Sequence, residues 1–458
     1  MKYSKSDLHR KYRNIQELKF EAQNLTSFSG LVIFQKLFNH LDISNKLKRC
    51  FDHLSSGSTY SHHKITLLLI VHLLLGYREL RDIRYYDDDP MVKRVLGLFR
   101  LPDAATLSRT LAGMDNHSVF KVRILNRRLV LERLSELAPA RLTVDFDGSV
   151  QSTGKFAEGS AVGFNKKKKG ARSYYPLYCT IAQTGQVFDV HHRPGNVHDS
   201  NGAREFILEC IQQIRSELPG VLIEMRMDSA FFQDELIDQL DEMGIEFTCS
   251  VPFERFAQLK GMIEGRKWWR WFNSDWSYFE SDWKPKKWST RYRFIFIRSW
   301  SKKQQKSPVQ LDIFEPFEYG YEFKVIITNK KVGVKKVLAF HNGRGAQEGI
   351  FSELKSQAQM DYVPTRKLAG NQIYLFATIL AHNMTRELQM LAHPRKRNTT
   401  EKRAALWKFF KIDTIRQTLI QRAGKITKPG GKLTLTMSGN AKVEKEILHY
   451  LGILDQVA

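Results

Sequence analysis

Two aspartates alternate with apolar residues in a short segment of β-type sequence, VDFDGS. Successive side chains of a strand point to opposite faces, so Asp145 and Asp147 share one face while Val144 and Phe146 share the other. Aspartate is rare inside strands, and such a pair either meets solvent at a strand end or binds a cation through its carboxylate oxygens. The segment taken alone leaves both interpretations open.

A second predicted strand ends in the same way. The segment VLIEMRMDS is mostly apolar and carries Asp228 at its carboxyl end. Ligand sites in α/β sheets gather at the carboxyl ends of the strands. Two neighbouring strands that both end in aspartate therefore favour a functional site over two solvated strand ends.

The third group of candidate residues lies on a predicted helix in the segment GRGAQEGIFSELKSQ. At about 100° per residue, Glu348 lies about 40° and Lys355 about 20° from Arg344, so these three residues share one face. Glu353 lies about 180° away, which selects Glu348 as the site residue. If the helix begins after Ala346, Arg344 is a loop residue and only the relation between Glu348 and Lys355 holds.

These residues together indicate chemistry on a phosphodiester. Three carboxylates from two strand ends and a helix, with an arginine and a lysine beside the third, suit hard divalent cations. Magnesium prefers oxygen ligands and keeps bound water. Two such ions about 3.5 to 4 Å apart stabilise both the attacking and the leaving oxygen of an in-line displacement.

The elements around these residues predict a mixed α/β fold. Apolar residues at three-to-four spacing predict helices in the first part of the chain, and a change to period two after Arg141 begins a sheet. Strand, strand, strand, helix, strand, helix and strand then follow, with an antiparallel hairpin at the start. We divide the chain into an all-α region 1–138 that binds DNA, a first core part 139–251, a tryptophan-rich β insertion 252–330, a second core part 331–392 with the Glu348 helix, and a basic region 393–458.

Basic residues predict phosphate contacts at several places. The short helix in LPDAATLSR carries Arg109 and either reads DNA or only packs. A glycine-bounded loop beside the first acidic strand holds four lysines, whose position favours phosphate contact over simple solvation. They are Lys166, Lys167, Lys168 and Lys169, followed by Arg172. Residues 391–450 hold 14 Lys or Arg against 4 Asp or Glu and form a second basic surface or a solubilising face.

Seven of the eight tryptophans fall between Trp268 and Trp300, interleaved with basic residues and β-type runs. Most of them are predicted to pack in a β core. One or two are predicted to hold a base displaced from the DNA stack. Trp288 and Trp300 are the candidates because each lies beside a β run that carries Lys or Arg.

Composition describes a folded and strongly basic protein. The 458 residues are 42% apolar and 26% charged, which excludes a collagenous or wholly disordered chain. The 72 Lys plus Arg exceed the 48 Asp plus Glu by 24, which indicates a polyanionic partner, nucleic acid before a membrane surface. The N-terminus lacks the apolar stretch of an export signal, and the most apolar run, residues 65–76, is too short to span a bilayer. Four widely spaced cysteines form neither a disulfide scaffold nor a zinc motif, so we expect a reducing cytosol.

With these motifs the chain resembles the DDE transposases of bacterial insertion sequences, of the type called transposase DDE domain group 1. Their RNase-H-like core has one Asp on its first strand, another at the end of its fourth strand, and the Glu on a helix beyond a β-rich insertion. Related cut-and-paste enzymes carry a Y-(2)-R-(3)-E-(6)-K signature, whose R, E and K fall on Arg344, Glu348 and Lys355, with His341 at the tyrosine position. The segments GFNKKKKGARSYYPL, RMDSAFF, LPDAATLSR and AGKITKPGGKLTLTMS extend the likeness over most of the chain.

The resemblance implies an RNase-H-like catalytic core that cleaves DNA and transfers strands in cut-and-paste transposition of an insertion sequence. It implies that Asp147, Asp228 and Glu348 bind two Mg²⁺ ions, for which Mn²⁺ can substitute. The family pattern of an acid followed closely by a small hydroxyl residue favours Asp147, with Asp145 as the alternative. The residue at 341, a histidine, can still hydrogen-bond a phosphate. The implied partners are double-stranded DNA, both the inverted-repeat ends of the element and the target, and a second copy of the chain on that DNA, in the bacterial cytoplasm near the nucleoid and with no membrane.

Two other functions remain as hypotheses. A transposon-derived DNA-binding protein that has lost catalysis is disfavoured because all three carboxylates are present. A metal-dependent nuclease of the same fold would hydrolyse DNA without joining ends. The Arg344, Glu348 and Lys355 set and the tryptophan-rich insertion favour transposition over that nuclease through the resemblance.

Overall fold

A computed structural model describes residues 17–21, 23–55, 59–163, 165, 168–197, 201–300, 321–397 and 400–456 of the chain. Two residues of the predicted DNA-binding set, Lys166 and Lys167, lie outside the described residues.

The first region folds mainly as helices. They are α1 (Leu31–His40), α2 (Ile43–Cys50), α3 (His62–Leu75), α4 (Pro90–Leu96), α5 (Ala104–Ala112) and α6 (Asn116–Leu137). Helix α3 is buried along its length from Ile65 to Leu75, which is why its sequence is apolar on every side instead of amphipathic. No helix within the described ranges is both long and apolar enough to cross a membrane.

A mixed sheet of nine strands forms the centre of the molecule. Its first half consists of β2 (Arg141–Gly148), β6 (Leu177–Ile181), β7 (Gln186–His191), β8 (Leu222–Met227) and β9 (Glu246–Val251). Their order is β7-β6-β2-β8-β9, with β6 antiparallel to β2 and β7, and β8 parallel to β2 and β9. This order, with the first strand in the middle, is that of an RNase-H-like fold and confirms the predicted fold class. The short strands β3 (Gln151–Ser152), β4 (Ala161–Val162) and β5 (Arg172–Tyr174) form a separate small sheet.

The β insertion extends this same sheet. Its strands β10 (Arg270–Trp271), β11 (Trp276–Trp283), β12 (Tyr292–Trp300) and β13 (Tyr321–Thr328) pair in antiparallel order, and β13 pairs with β9. The pairing of β13 with β9 stops at Val325 opposite Val251. Residues 321–324 therefore run past the end of β9, at the edge of the sheet where β2, β8 and β9 end, and we call this segment the projecting tip of the insertion.

Helices cover both faces of the sheet. The helices α7 (Ala203–Glu217), α8 (Asp234–Glu242) and α9 (Ala257–Glu264) contribute to a core that contains Val144 and Phe146. The ring of Phe146 meets that of Phe206 at 5.9 Å. The alternation predicted for VDFDGS therefore turns the two aspartates to the other face, which carries α10 (Val334–Asn342) and α11 (Gly345–Gln357).

The first and last regions that the structure describes share one core. Strand β1 (Leu25–Thr26) pairs with β14 (Gly424–Thr427), which pairs with β15 (Thr434–Met437). One hydrophobic cluster joins the N-terminal helices to α12 (Leu368–Ala392), α13 (Ile412–Ile415) and α14 (Ala441–Gln456). The regions 1–138 and 393–458 are therefore packed together in space, and the first of them contains a strand as well as helices.

Candidate active site

Asp147 and Asp228 occupy adjacent positions at the carboxyl edge of the sheet. The parallel strands β2 and β8 place Asp145 opposite Arg226, and two residues further along each strand are Asp147 and Asp228. Neighbouring strands lie about 4.8 Å apart, so the two carboxylates are neighbours on one face. Both residues are partly exposed and accessible to a ligand.

Asp145 is held in a buried ion pair. Arg226 Nε donates to Asp145 Oδ1 at 2.6 Å and Nη2 donates to Oδ2 at 2.5 Å, with side-chain exposures of 0% for Arg226 and 2% for Asp145. Burial raises the pKa of Asp145, and the charge and hydrogen bonds of Arg226 oppose that rise. Because the guanidinium engages both carboxylate oxygens, this arrangement favours Asp147 over Asp145 as a ligand-binding group.

Arg344 and Gln347 fasten the start of α11 to the acidic strand. Arg344 is the residue before the first turn of α11, and its Nη1 donates to Asp147 Oδ2 at 3.3 Å. Gln347 is buried, and its Nε2 donates to the backbone carbonyl of Asp145 at 3.0 Å. The helix therefore begins before Ala346, and Arg344 contacts Asp147 from the N-terminus of α11. We call Asp147 and Asp228 the acid pair.

A close backbone contact at Gly343 sets the entry into this helix. A Cβ atom at Gly343 would lie 2.0 Å from the carbonyl oxygen of Lys402 and 2.2 Å from Arg226 Nη1. The same Nη1 donates to the Lys402 carbonyl at 2.8 Å. Only glycine fits there, so a segment of the basic C-terminal region helps to position the residues of the site.

Glu348 is exposed in the first turn of α11. Its neighbours on the same stripe of the helix are Arg344, one turn before, and Phe351, about one turn after. Arg344 contacts Asp147, and the Phe351 ring lies 5.1 Å from that of Tyr178, the cross-strand partner of Asp147. Glu348 thus lies between two residues of this stripe that contact the acidic strand or its neighbour. Within the described part of the chain, no three His, Cys, Asp or Glu side chains are grouped closely enough to hold a metal ion.

The opposite face of α11 belongs to the core. Glu353 is 5% exposed and pairs with Arg386 Nη2 at 2.5 Å, and it also accepts from the backbone N–H of Ile412 at 3.0 Å. These contacts join α11 to α12 and α13.

Lys355 is partly exposed near the end of α11.

His341 is buried beneath the site and not presented to DNA. Its Nδ1 lies 3.0 Å from Thr248 Oγ1 and its Nε2 lies 3.0 Å from Ser250 Oγ. Burial is the main reason that the pKa of His341 falls well below its ordinary value. With 2% exposure and both ring nitrogens engaged, it has no group left for the predicted phosphate contact and instead fastens α10 to β9.

The other predicted basic residues lie on the surface. Arg109 is exposed on α5, a helix capped by Asp103, whose Oδ1 accepts from the Thr106 N–H at 2.7 Å. Lys168 and Lys169 are exposed, as is Arg172, whose Nε donates to Ser160 Oγ at 3.0 Å.

A basic cleft borders the helix that carries Arg109. It has a volume of about 520 Å³ and is lined by Ser108 of α5 together with Lys155, Phe156 and Arg366. The Phe156 ring is 67% exposed, with the Arg366 guanidinium 5.2 Å and the Lys155 ammonium 5.9 Å from its centre. Cations around an exposed ring suit both the phosphates and the bases of a nucleic acid.

The two tryptophans predicted to hold a base differ in exposure. Trp288 is 7% exposed and stacks on Phe232 at 4.8 Å, so it belongs to the core and is not available to DNA. Trp300 is 53% exposed, and its ring meets that of Tyr321 edge to face at 5.1 Å, near the projecting tip of the insertion. Of the two, only Trp300 is placed to meet a base.

The pattern of residues did not identify Arg226 or Gln347 as parts of the site. A signal for Arg226 does exist in the sequence, because it precedes Asp228 by two residues just as Asp145 precedes Asp147. Opposite charges at matching positions of two predicted neighbouring strands indicate an ion pair. No comparable signal marks Gln347.

The chain is similar to known proteins in two comparisons, one with a sequence family and one with solved structures. Residues 9–458 match a family model described as transposase DDE domain group 1, whereas no curated protein sequence gives a significant match. The solved structure of a piggyBac transposase synaptic complex with hairpin DNA is similar at 10% identity and a TM-score of 0.42, covering 86% of this chain and 79% of that chain. A Mos1 transposase paired-end complex with the left transposon end has 10% identity and a TM-score of 0.18, covering 42% of this chain and 60% of that chain. A Mos1 mariner paired-end complex with Mn has 11% identity and a TM-score of 0.17, covering 43% of this chain and 60% of that chain.

Proposed function

The chain belongs to the transposase DDE domain group 1 family, and from this premise we propose that it cuts the ends of a mobile DNA element and joins them to a new site. The observation that supports this chemistry most directly is the pairing of Asp145 with Arg226 in two parallel strands, which brings Asp147 and Asp228, two residues further along, to the same edge of the sheet. Arg344, which donates to Asp147, supplies a cation at the same place. Cleavage and strand transfer require carboxylates that bind metal ions and a cation that stabilises the charge on the phosphate.

We propose that Asp147, Asp228 and Glu348 hold two Mg²⁺ ions, with Mn²⁺ as a substitute. The donors fit this group, since Asp147 and Asp228 each lie two residues beyond a paired position of neighbouring parallel strands, at a partly exposed edge, and hard cations prefer oxygen ligands. When bound, the ions supply activation of water and neutralisation of charge on the phosphate. Arg344 keeps further N–H groups for a phosphate oxygen while it holds Asp147 in place.

The partners that follow from this function are the inverted-repeat ends of the element and a target duplex. We further propose that two copies of the chain bind one pair of ends, and that the protein acts in the bacterial cytoplasm on nucleoid DNA. The exposed Arg109, Lys168, Lys169 and Arg172 and the cleft beside α5 are the surfaces proposed to contact DNA outside the cut.

The test of this function is a reaction on the element's own ends. The purified chain is mixed with Mg²⁺, a duplex that carries the inverted repeats flanking its gene, and a supercoiled target. Transposition requires cleavage at the repeat boundary and joint molecules with the target. Cleavage without joint molecules would identify a nuclease, and binding without cleavage would identify a silent DNA-binding protein.

Binding to DNA is expected to weaken steeply with salt. The net charge of +24 suggests many phosphate contacts, and six to ten of them would reduce affinity by about 10³ to 10⁵ between 50 and 200 mM salt. Fluorescence anisotropy with a labelled duplex measures this slope. Exchange of Lys168 and Lys169 for Gln should lower it by about 0.9 for each phosphate that the variant no longer neutralises, equally on specific and random DNA. A complex indifferent to salt would contradict the proposed mode of binding.

Trp300 is expected to hold a base that leaves the stack when the end is cut. Stacking on an aromatic ring contributes about 1 to 3 kcal/mol per base, so Trp300→Ala should slow the step that needs the displaced base by about 5- to 150-fold. The probe is 2-aminopurine at successive positions beside the cut, read by fluorescence. Trp268→Ala is the matched control, because Trp268 is also exposed, at 84%. If both variants behave alike, base capture by Trp300 is wrong.

A further inference from the structure

Lys324 lies on the same face of the sheet as the acid pair and beyond the strand ends. The register of β8 with β9, carried one residue on, sets Asp228 opposite Ser250, and Ser250 pairs with Ile326 of β13. Lys324 is two residues from Ile326 and therefore on the same face, in the part of β13 that runs past β9. It stands two strands from Asp228, a lateral distance of about 10 Å.

The surroundings of Lys324 are cationic. Its side chain is partly buried, and no carboxylate among the described residues forms an ion pair with it. Burial and the charge of Arg344 both lower the pKa of Lys324, and the charge of Lys324 in turn lowers the pKa of His341. A partly buried ammonium beside a guanidinium is unfavourable unless an anion joins them.

An anion that joins Lys324 and Arg344 would lie beside the acid pair. Arg344 donates to Asp147, and its charge also acts on Lys324, so both cations belong to the surroundings of the acid pair. The β13 extension holds Lys324 on a strand paired with β12, at Ile297, and not on a free loop. A rigidly held cation near two metal-binding acids is suited to fix a polyanionic strand in one register.

We propose that Lys324 binds a phosphate of the DNA strand that is cut, next to the scissile phosphate, and that Lys324 and Arg344 together hold two consecutive phosphates at the acid pair. This inference rests on the proposed function. It assigns the projecting tip of the insertion a role in positioning DNA, through a phosphodiester contact that carries no sequence information.

The test combines a charge removed from the protein with a charge removed from DNA. Lys324→Met keeps the apolar stem and loses the ammonium, and a set of element-end duplexes carries one neutral methylphosphonate at successive positions near the cut. Wild-type binding should weaken about 10- to 100-fold at one position, as expected when a charged hydrogen bond is removed. The Lys324→Met chain should bind the unmodified duplex more weakly by a similar factor and show no further weakening at that position.

Two controls separate this contact from a structural role. Lys331→Met removes an exposed lysine just beyond the other end of β13 and should leave the methylphosphonate profile as in wild type. Without DNA, Lys324→Met should melt at the same temperature as wild type or higher, because it removes an uncompensated cation. A lower melting temperature, or a methylphosphonate profile unchanged from wild type, would overturn the proposal. Failure of the wild type to cut in Mg²⁺ overturns the proposed function instead, while the binding cycle still tests Lys324.

Discussion

Asp147→Asn and Asp228→Asn are each expected to reduce strand cleavage by more than about 100-fold while the protein stays folded and binds the element end. Removal of groups that only support a metal ligand costs about 10- to 100-fold, and removal of a ligand costs more. The two substitutions keep the size of the side chain and remove one negative charge. Single-turnover cleavage of an end-labelled duplex in Mg²⁺ measures the rate, and anisotropy measures binding. Glu348→Gln is expected to behave in the same way.

Asp282→Asn provides the control for these substitutions. Asp282 is an exposed residue of β11, away from the carboxyl edge of β2 and β8, and the exchange makes the same chemical change. Its cleavage rate should match that of wild type. Full cleavage by the Asp228→Asn protein would remove Asp228 from the site, and a defect in binding instead of cleavage would assign the carboxylate to DNA contact.

Local patterns were sufficient to predict the acidic strand and its faces. Alternation with period two is a property of the strand itself, and Phe146 does enter the core while Asp145 and Asp147 turn to the other face. The prediction that Glu353 lies on the face of α11 opposite Glu348 also needed only local helix geometry. Glu353 is indeed buried in the core.

Contacts between distant parts of the chain explain what the sequence did not reveal. The partner of Asp145 is Arg226, 81 residues away, so the sequence left two candidates for the first ligand. Trp288 is buried by its stack on Phe232, and no local feature of its segment distinguishes it from the exposed Trp300. A histidine at a signature position predicted a phosphate contact, but hydroxyls from β9 engage both of its nitrogens.

The insertion illustrates the same limit at the level of the fold. Its strands were predicted from β-type runs, yet whether they form a separate module or join the core depends on pairing between β13 and β9. That pairing brings the projecting tip to the active-site edge. The proposed roles of Lys324 and Trp300 therefore depend on tertiary pairing, which period and composition do not encode.

Asp145→Ala is expected to lower the free energy of unfolding by about 3 to 5 kcal/mol, because it leaves the Arg226 guanidinium buried without its counter-charge. Asp147→Ala, two residues along the same strand and on the same face, should cost less than about 1 kcal/mol. Asp147 and its partner Arg344 have side-chain exposures of 21% and 22%, so water can solvate the group that remains. Urea denaturation followed by circular dichroism measures both values.

A double substitution distinguishes the buried ion pair from a general effect of changing the strand. Asp145→Leu combined with Arg226→Met replaces both charges by apolar groups, and such replacements of buried pairs are often neutral or stabilising. The double variant should therefore regain most of the stability that Asp145→Ala removes, apart from the hydrogen bond of Arg226 to the Lys402 carbonyl. Equal destabilisation by Asp145→Ala and Asp147→Ala, with no recovery in the double variant, would show that the pair does not stabilise the fold. Asp145 would then again be a candidate metal ligand in place of Asp147, because a buried carboxylate that does not stabilise the fold is expected to have another function.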